Sequence, residues 1–212
     1  MRNAARLRSC KKLSRNDLQR LSGYRASMIG PNRVEGYAIV SADGMIADTA
    51  GKMPDTLRNP ADQSFLQAEL DRAAMVVHGR HSHEGGPRAA RRKRLIVTHG
   101  IAALAPHPSH PNALLWNPAG ATLEAAIKAL GAGDGAIAII GGTQVFGLFL
   151  PRYDAFHLTR AENARIPDGR PVFPEVGPNA TAEDVLAGHG LRAGPRRALD
   201  AGAGIILTTW QR

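Results

Sequence analysis

Ala136-Ile137-Ala138-Ile139-Ile140-Gly141-Gly142-Thr143-Gln144-Val145-Phe146 is the stretch on which the fold turns. Five consecutive apolar residues predict a strand buried on both faces. Two glycines end it. Gln144 to Leu150, apolar at Val145, Phe146, Leu148, Phe149 and Leu150, reads as a helix stopped by Pro151. A strand, a Gly-Gly turn and a helix start leave backbone N–H groups bare where a phosphate can be held. The same glycines also serve a tight turn that binds nothing.

The pattern continues on either side. Gly36–Ser41 predicts a first strand that passes into the loop Ala42–Asp48, in which Asp43-Gly44 is a turn signal. The polar, Gly/Pro-punctuated run from Thr49 to Arg58 predicts an exposed, mobile loop. Asn59 as cap and Pro60 at the first helical position open a helix to Arg72. Strands are expected at Met75–His78, Leu95–Thr98, Ala113–Trp116 and Ala155–Arg160, with a short helix near Ser82–Gly85 and loop from Pro106 to Pro111. Thr122 caps a helix whose Leu123, Ile127 and Leu130 share a face. A Gly/Pro-rich stretch precedes a closing pair, Leu191–Leu199 and Gly204–Trp210, joined by Asp200-Ala201-Gly202-Ala203. Alternating strands and helices followed by a hairpin predict an α/β fold: a mostly parallel central sheet, flanking helices and a C-terminal antiparallel hairpin.

The 212 residues carry a formal charge of +9, which at first suggests nucleic acid. Its distribution argues otherwise. Residues 1–33 hold nine basic side chains against one acidic, Asp17, while residues 34–212 hold 18 against 17. The basicity belongs to an N-terminal extension, read as flexible or as the product of a start assigned upstream of Met28, and residues 34–212 form the folded domain. The extension lacks the apolar core of a secretory signal, and no apolar run is long enough to span a membrane. Cys10 is the single cysteine, so no intrachain disulfide forms and a cytoplasmic location is the expectation. The cluster Arg88, Arg91, Arg92, Lys93, Arg94 has no interleaved aromatic residue, which disfavours nucleic acid and leaves a small molecule as the expected partner of a monomer or homodimer.

Four segments in order, Asn59-Pro60-Ala61-Asp62, Gly79-Arg80-His81-Ser82, Arg92 to Thr98, and Ile139 to Gly142 with Leu158-Thr159, resemble dihydrofolate reductases. The resemblance runs from about Val34 to Arg212. It implies an NADPH-dependent reductase that transfers hydride to a C=N bond of a pterin-like heterocycle. Asp62 would be the active-site carboxylate that binds the amidine-like edge of the substrate, and Thr159 its hydrogen-bond partner. Without the resemblance, Asp62 is a first-turn acid that complements the helix dipole and Thr159 an ordinary strand residue.

For the cofactor, the resemblance implies backbone contacts at Ile39 and Ile46 and a phosphate cradle at Ile140, Gly141, Gly142, Thr143, Gln144 and Val145. Gly79, Arg80, His81 and Ser82, with Thr98 and His99 on the next strand, would hold the pyrophosphate and the 2′-phosphate. Gln63 and Leu66 would line the substrate pocket, and Arg92 would bind a folate carboxylate. His78, His81, His83 and Glu84 lie close in sequence but fit neither a zinc finger nor a helical His-Glu-x-x-His site, so no metal is expected.

The sequence departs from the family at several points. Leu57 lies near the place of a tryptophan, which removes an expected route for substrate protonation. Gln63 replaces an apolar residue, and Thr143 a third glycine. Residues 82–88 are rich in His and Gly where apolar side chains would meet folate. A Ser-x-Asp-Gly loop, here Ser41 to Gly44, recurs in riboflavin-pathway reductases, which share the fold. The alternative substrate is therefore a ribosylamino-pyrimidine phosphate (5-amino-6-(5-phosphoribosylamino)uracil). A further alternative is a non-catalytic binding protein on the same fold.

Overall fold

A computed structural model describes residues 32–82 and 88–212. The basic segment up to residue 31, with Cys10 and Met28, lies outside the described residues, as does most of the helix expected near Ser82–Gly85. Nine strands form one sheet: β1 (Arg33–Ser41), β3 (Met75–Gly79), β4 (Arg94–Val97), β5 (Leu104–Pro106), β6 (Ala113–Trp116), β7 (Ala136–Ile139), β8 (Ala155–Ala161), β10 (Arg192–Asp200) and β11 (Ile205–Gln211). Two short strands, β2 (Met45–Ala47) and β9 (Arg170–Pro171), pair separately. The order in the large sheet is β10-β11-β8-β1-β7-β3-β4-β6-β5. The inner pairs from β8 to β6 are parallel, and both edges are antiparallel.

β7 lies at the middle of this order, and Ile137, Ala138 and Ile139 are fully buried, as a strand covered on both faces requires. Helix α1 (Pro60–Arg72) lies on one face, where Leu70 packs with Tyr37, Val76 and Ala138. Helices α2 (Leu123–Leu130), α3 (Thr143–Phe149) and α4 (Ala182–Gly188) bury their apolar sides against the other face. There Phe146, Phe156, Phe173 and Tyr153 meet edge to face or tilted, with centroids 5.0–6.3 Å apart.

Four expectations need correction. The run Thr49 to Arg58 is not wholly exposed: a 3-10 turn at Asp55–Leu57 drops Leu57 into a cluster with Ile39, Ala161, Ala164, Ile166 and Ile205. Pro151 does not end the helical path, because a 3-10 turn at Leu150–Arg152 accepts it at an early position where no N–H is needed. Pro106 belongs to β5, at the sheet edge where a missing donor is tolerated. The Gly/Pro-rich stretch contains α4, opened by a capping box between Thr181 and Asp184.

At Gly36 a Cβ would lie 2.2 Å from the Phe156 ring. Gly36→Ala should lower stability by about 1–3 kcal/mol through overpacking, measured by urea unfolding. Gly202→Ala, whose Cβ meets only Asp200 Oδ1 at 3.7 Å, should leave the midpoint unchanged.

Candidate functional site

The C-terminal ends of β1, β3, β4, β7 and β8 face the same way, and most of the predicted site residues gather there. At such an edge, loops and helix starts can surround a ligand while the strands hold them fixed.

Asn59 sets the start of α1. Its Oδ1 accepts from the N–H groups of Ala61 (2.9 Å) and Asp62 (3.3 Å), and its Nδ2 donates to Asp200 at 3.0 Å, so the far hairpin holds the cap. One turn into the helix, Phe65 packs against the stacked rings of Tyr37 and His157, with the Arg197 guanidinium 5.4 Å from its centroid. These contacts place Asp62 over Thr159, whose hydroxyl donates to the carboxylate. Both are buried, at 9% and 1% exposure. Burial raises the Asp62 pKa above its ordinary value, and the Thr159 hydrogen bond offsets only part of the rise. Thr159 stands in register with Ile39 on one side and Leu207 on the other. The carboxylate thus looks onto a row of apolar side chains with one hydroxyl.

The second group forms around the Gly-Gly turn. Gly141 has φ +102°, and a Cβ there would lie 2.5 Å from the Phe146 ring, so only glycine fits. Gly79 N–H donates to the Gly141 carbonyl at 2.7 Å and ties the end of β3 to the turn. Gly142 differs: a Cβ would stand in ordinary contact with Ser82 Oγ (3.6 Å) and Ile46 Cδ1 (3.9 Å). Packing tolerates a Cβ at Gly142, so the glycine there is not demanded by it. The first-turn amides of α3, Thr143 to Val145, follow directly. Thr143 turns its hydroxyl away to donate to the Pro171 carbonyl, while Gln144 is exposed and Val145 is buried. Ile140 is half-buried beside them. Arg80 and His81 are exposed at the end of β3, with Arg80 Nη2 3.4 Å from His81 Nε2. Thr98 and exposed His99 follow the neighbouring strand β4, and Thr98 Oγ1 accepts from the Gly100 N–H at 3.1 Å.

The substrate residues fare unevenly. Leu66 is half-buried with the α1 cluster, and Gln63 is exposed. Arg92 does not stand free to meet a carboxylate: its guanidinium is bound by Asp71 and by Gln67 Oε1, both on α1. Among the described residues no group of three or more His, Cys, Asp or Glu could hold a metal ion. No helix among them is long and apolar enough to cross a membrane.

Sequence reading missed what Asp43 does. Its carboxylate accepts from the Ser41 hydroxyl and from the Ile166 N–H at 3.1–3.2 Å. Ser41 Oγ in turn accepts from Met45 N–H, Ala42 N–H donates to Ala164, and Val172 N–H donates to Gly44. With the β2–β9 pairing, these bonds pin the loop that carries Ile46 between two distant segments. The Ser41-x-Asp43-Gly44 spacing was the available signal, but it marks only the turn and not its remote partners.

No family model matches the chain, and no curated protein matches it. Solved structures do. A riboflavin biosynthesis protein from Shewanella sp. PV-4 is 21% identical with a TM-score of 0.58, covering 85% of this chain and 98% of its own. A dihydrofolate reductase from Enterococcus faecalis, complexed with NADP(H) and RAB-propyl, is 17% identical with a TM-score of 0.57, covering 85% and 96%. A diaminohydroxyphosphoribosylaminopyrimidine deaminase/5-amino-6-(5-phosphoribosylamino)uracil reductase from Thermotoga maritima is 16% identical with a TM-score of 0.55, covering 85% and 56%. The chain has the dihydrofolate reductase-like fold.

Burial alone would raise the Asp43 pKa, but the hydrogen bonds from Ser41 and the Ile166 backbone outweigh it and hold the carboxyl below its ordinary value. The ionised form therefore adds stability at pH values above that ordinary value, and the contribution is lost as pH falls through the lowered one. Asp43→Asn should unfold at lower denaturant concentration than wild type at neutral pH, with the gap closing as pH falls below the ordinary carboxylate range and through the lowered value. An unchanged midpoint at neutral pH would show that the loop holds without the carboxylate.

Proposed function

We propose that the protein is an NADPH-dependent reductase that transfers hydride to a C=N bond of a pterin-like heterocycle. The observation that carries this reading is the buried Asp62–Thr159 pair, on a sheet whose middle strand ends in a Gly-Gly turn that packing alone does not require at Gly142. The fold's reductase neighbours support it.

The residues fit the cofactor. With no side chain at Gly142, a pyrophosphate would reach the α3 amides, Ser82 would donate a hydroxyl there, and Arg80, His81 and His99 would meet a 2′-phosphate. When bound, NADPH supplies the hydride. Asp62 would accept two hydrogen bonds from the amidine-like edge of the substrate, fix its orientation and raise the basicity of the imine nitrogen. Thr159 keeps the carboxylate pointed at that edge. Ile39 and Ile46 would exclude water from between the two rings.

One observation favours the second reading, a ribosylamino-pyrimidine phosphate as substrate. Arg92 is committed to Asp71 and Gln67, so the expected anchor of a folate carboxylate is occupied within the protein. Turnover assays with dihydrofolate and with 5-amino-6-(5-phosphoribosylamino)uracil separate the two. Absence of NADPH binding would instead leave the non-catalytic alternative.

Gly142→Ala, whose Cβ makes only ordinary contacts, should fold like wild type, while Gly142→Val should lose NADPH affinity by filling the cradle; this is read by fluorescence titration beside an unfolding curve for each variant. Arg80→Ala should weaken NADPH far more than NADH, by about 1–3 kcal/mol for a charge-assisted contact. Equal losses for the two cofactors would place the 2′-phosphate elsewhere.

Asp62→Asn should cut single-turnover hydride transfer about 10²-fold or more while leaving NADPH affinity nearly unchanged. It should not destabilise the protein. Because the folded state raises the Asp62 pKa, the protein gains stability from the protonated form below the ordinary value and loses it as pH rises through the raised one. At neutral pH the variant, which carries no buried charge, should melt at or above the wild-type temperature, and the advantage should vanish in acid. Full turnover by Asp62→Asn would remove the carboxylate from the mechanism.

A further inference from the structure

Of the five basic side chains between Arg88 and Arg94, three are committed: Arg88 and Arg92 to Asp71, and Lys93 to the Gly131 carbonyl. Arg94 is not. It opens β4 at 8% exposure, and its guanidinium makes no hydrogen bond or ion pair with any described residue. A cation drawn this far from water without an anion is costly. Leu95 points into the core, so Arg94 points to the opposite face of the sheet. There it pairs with Ala113 on β6, and the His107 N–H, just past the end of β5, donates to the Ala113 carbonyl at 3.0 Å. Arg94 and His107 thus stand two strands apart, about 10 Å between backbones, with only the Ala113 methyl in the row between them. The His107 ring packs on His110, with centroids 4.6 Å apart, and its Nδ1 accepts from the Ser109 N–H at 3.2 Å. The neutral ring therefore carries its proton on Nε2, as a donor with no acceptor among the described residues.

We propose that Arg94, His107 and His110 bind a tetrahedral oxyanion of the phosphate type. Three donors without acceptors converge from β4 and from the loop after β5, and that loop is held in place. Arg94 N–H donates to the Asn112 carbonyl at 2.9 Å, Ala113 N–H to the His110 carbonyl at 3.0 Å, and Asn112 Nδ2 to the Ala90 carbonyl at 3.1 Å. Pro108 and Pro111 restrict it further. The electrostatics agree: desolvation and the charges of His110 and Arg94 hold the His107 pKa below its ordinary value, and no carboxylate acts against them. An anion seated among the three groups supplies the missing charge. A metal ion fits poorly, because the described residues offer the two imidazoles no third ligand and Arg94 repels a cation. Nucleic acid needs a row of free cations, whereas the neighbours Arg88 and Arg92 are neutralised by Asp71. Arg94 stands at the start of β4, about 10 Å along the strand from Val97 at its other end. The site is therefore separate from the glycine cradle and does not rest on the reductase reading.

The test is an NMR titration of the histidine rings of the full chain with sodium sulfate, against sodium chloride at equal ionic strength. Sulfate keeps its charge throughout the imidazole range, so any change in the His107 pKa belongs to the protein. Sulfate should shift the His107 and His110 signals saturably and raise the His107 pKa by about 1, a tenfold preference for the protonated ring. Arg94→Gln should weaken the binding about tenfold or more without lowering the melting temperature, since it removes an unpaired buried cation. If that variant fails to fold, His107→Asn, followed at His110, should show the same loss. Inorganic phosphate and glycerol 3-phosphate, run side by side, separate the sources: tighter binding of the ester marks the phosphate group of an organic ligand, equal binding the free ion, and either supports the site. A response that chloride reproduces, one that does not saturate, or one that Arg94→Gln or His107→Asn leaves intact would overturn the proposal.

Discussion

The Phe146 ring lies so close beneath Gly141 that no side chain could stand above it. Two demands meet at this contact. The core needs Phe146 beside Phe156 and Phe173, and the backbone must leave β7 sharply enough for α3 to start at once. Glycine with positive φ satisfies both. The carbonyl freed by the turn accepts the Gly79 amide, so the end of β3 is set by the same event. A packing constraint in the core thereby fixes the spacing of the strand ends at which a ligand would sit.

α1 is held differently. Its first turn is capped by Asn59, its middle is gripped by Tyr37, His157 and Arg197, and its last turns are tied through Asp71 to Arg92. A helix fixed at three levels can carry a carboxylate into a buried position against the cost of desolvation. That cost is borne by the fold as a whole. It recurs wherever a protein keeps a charged group away from water for use on a substrate.

Much of this was legible in the sequence, for reasons that differ from element to element. The bounds of α1 follow from Asn59-Pro60, because capping is local chemistry. β7 announces itself by an apolar run ended by glycine, and β11 by its apolar start after Gly204. The pairing of β2 with β9 could not be read, since strands of three and two residues carry no period. α4 is masked in the sequence by the surrounding Gly and Pro, although Thr181-x-x-Asp184 carries its capping chemistry. Asp62 beside Thr159 came from a resemblance and not from periodicity, which makes Asp62 an ordinary helix-start acid. The engagement of Arg92 was out of reach: its partners lie 21 and 25 residues upstream, on a helix whose facing side only the tertiary structure reveals.

Asp154 joins the two ends of the described body. Its carboxylate accepts from the Val34 N–H at 2.8 Å, its N–H donates to the Val34 carbonyl at 2.9 Å, and its own carbonyl accepts from the Arg212 N–H at 3.3 Å. The first strand therefore begins where the last one finishes, at the edge of the sheet remote from the glycine cradle. A short linker could close Arg212 onto Arg33, and new termini could be opened elsewhere by circular permutation without disturbing the strand order. A segment joined directly at Arg33 or at Arg212 would leave the described body on the side turned away from the candidate site.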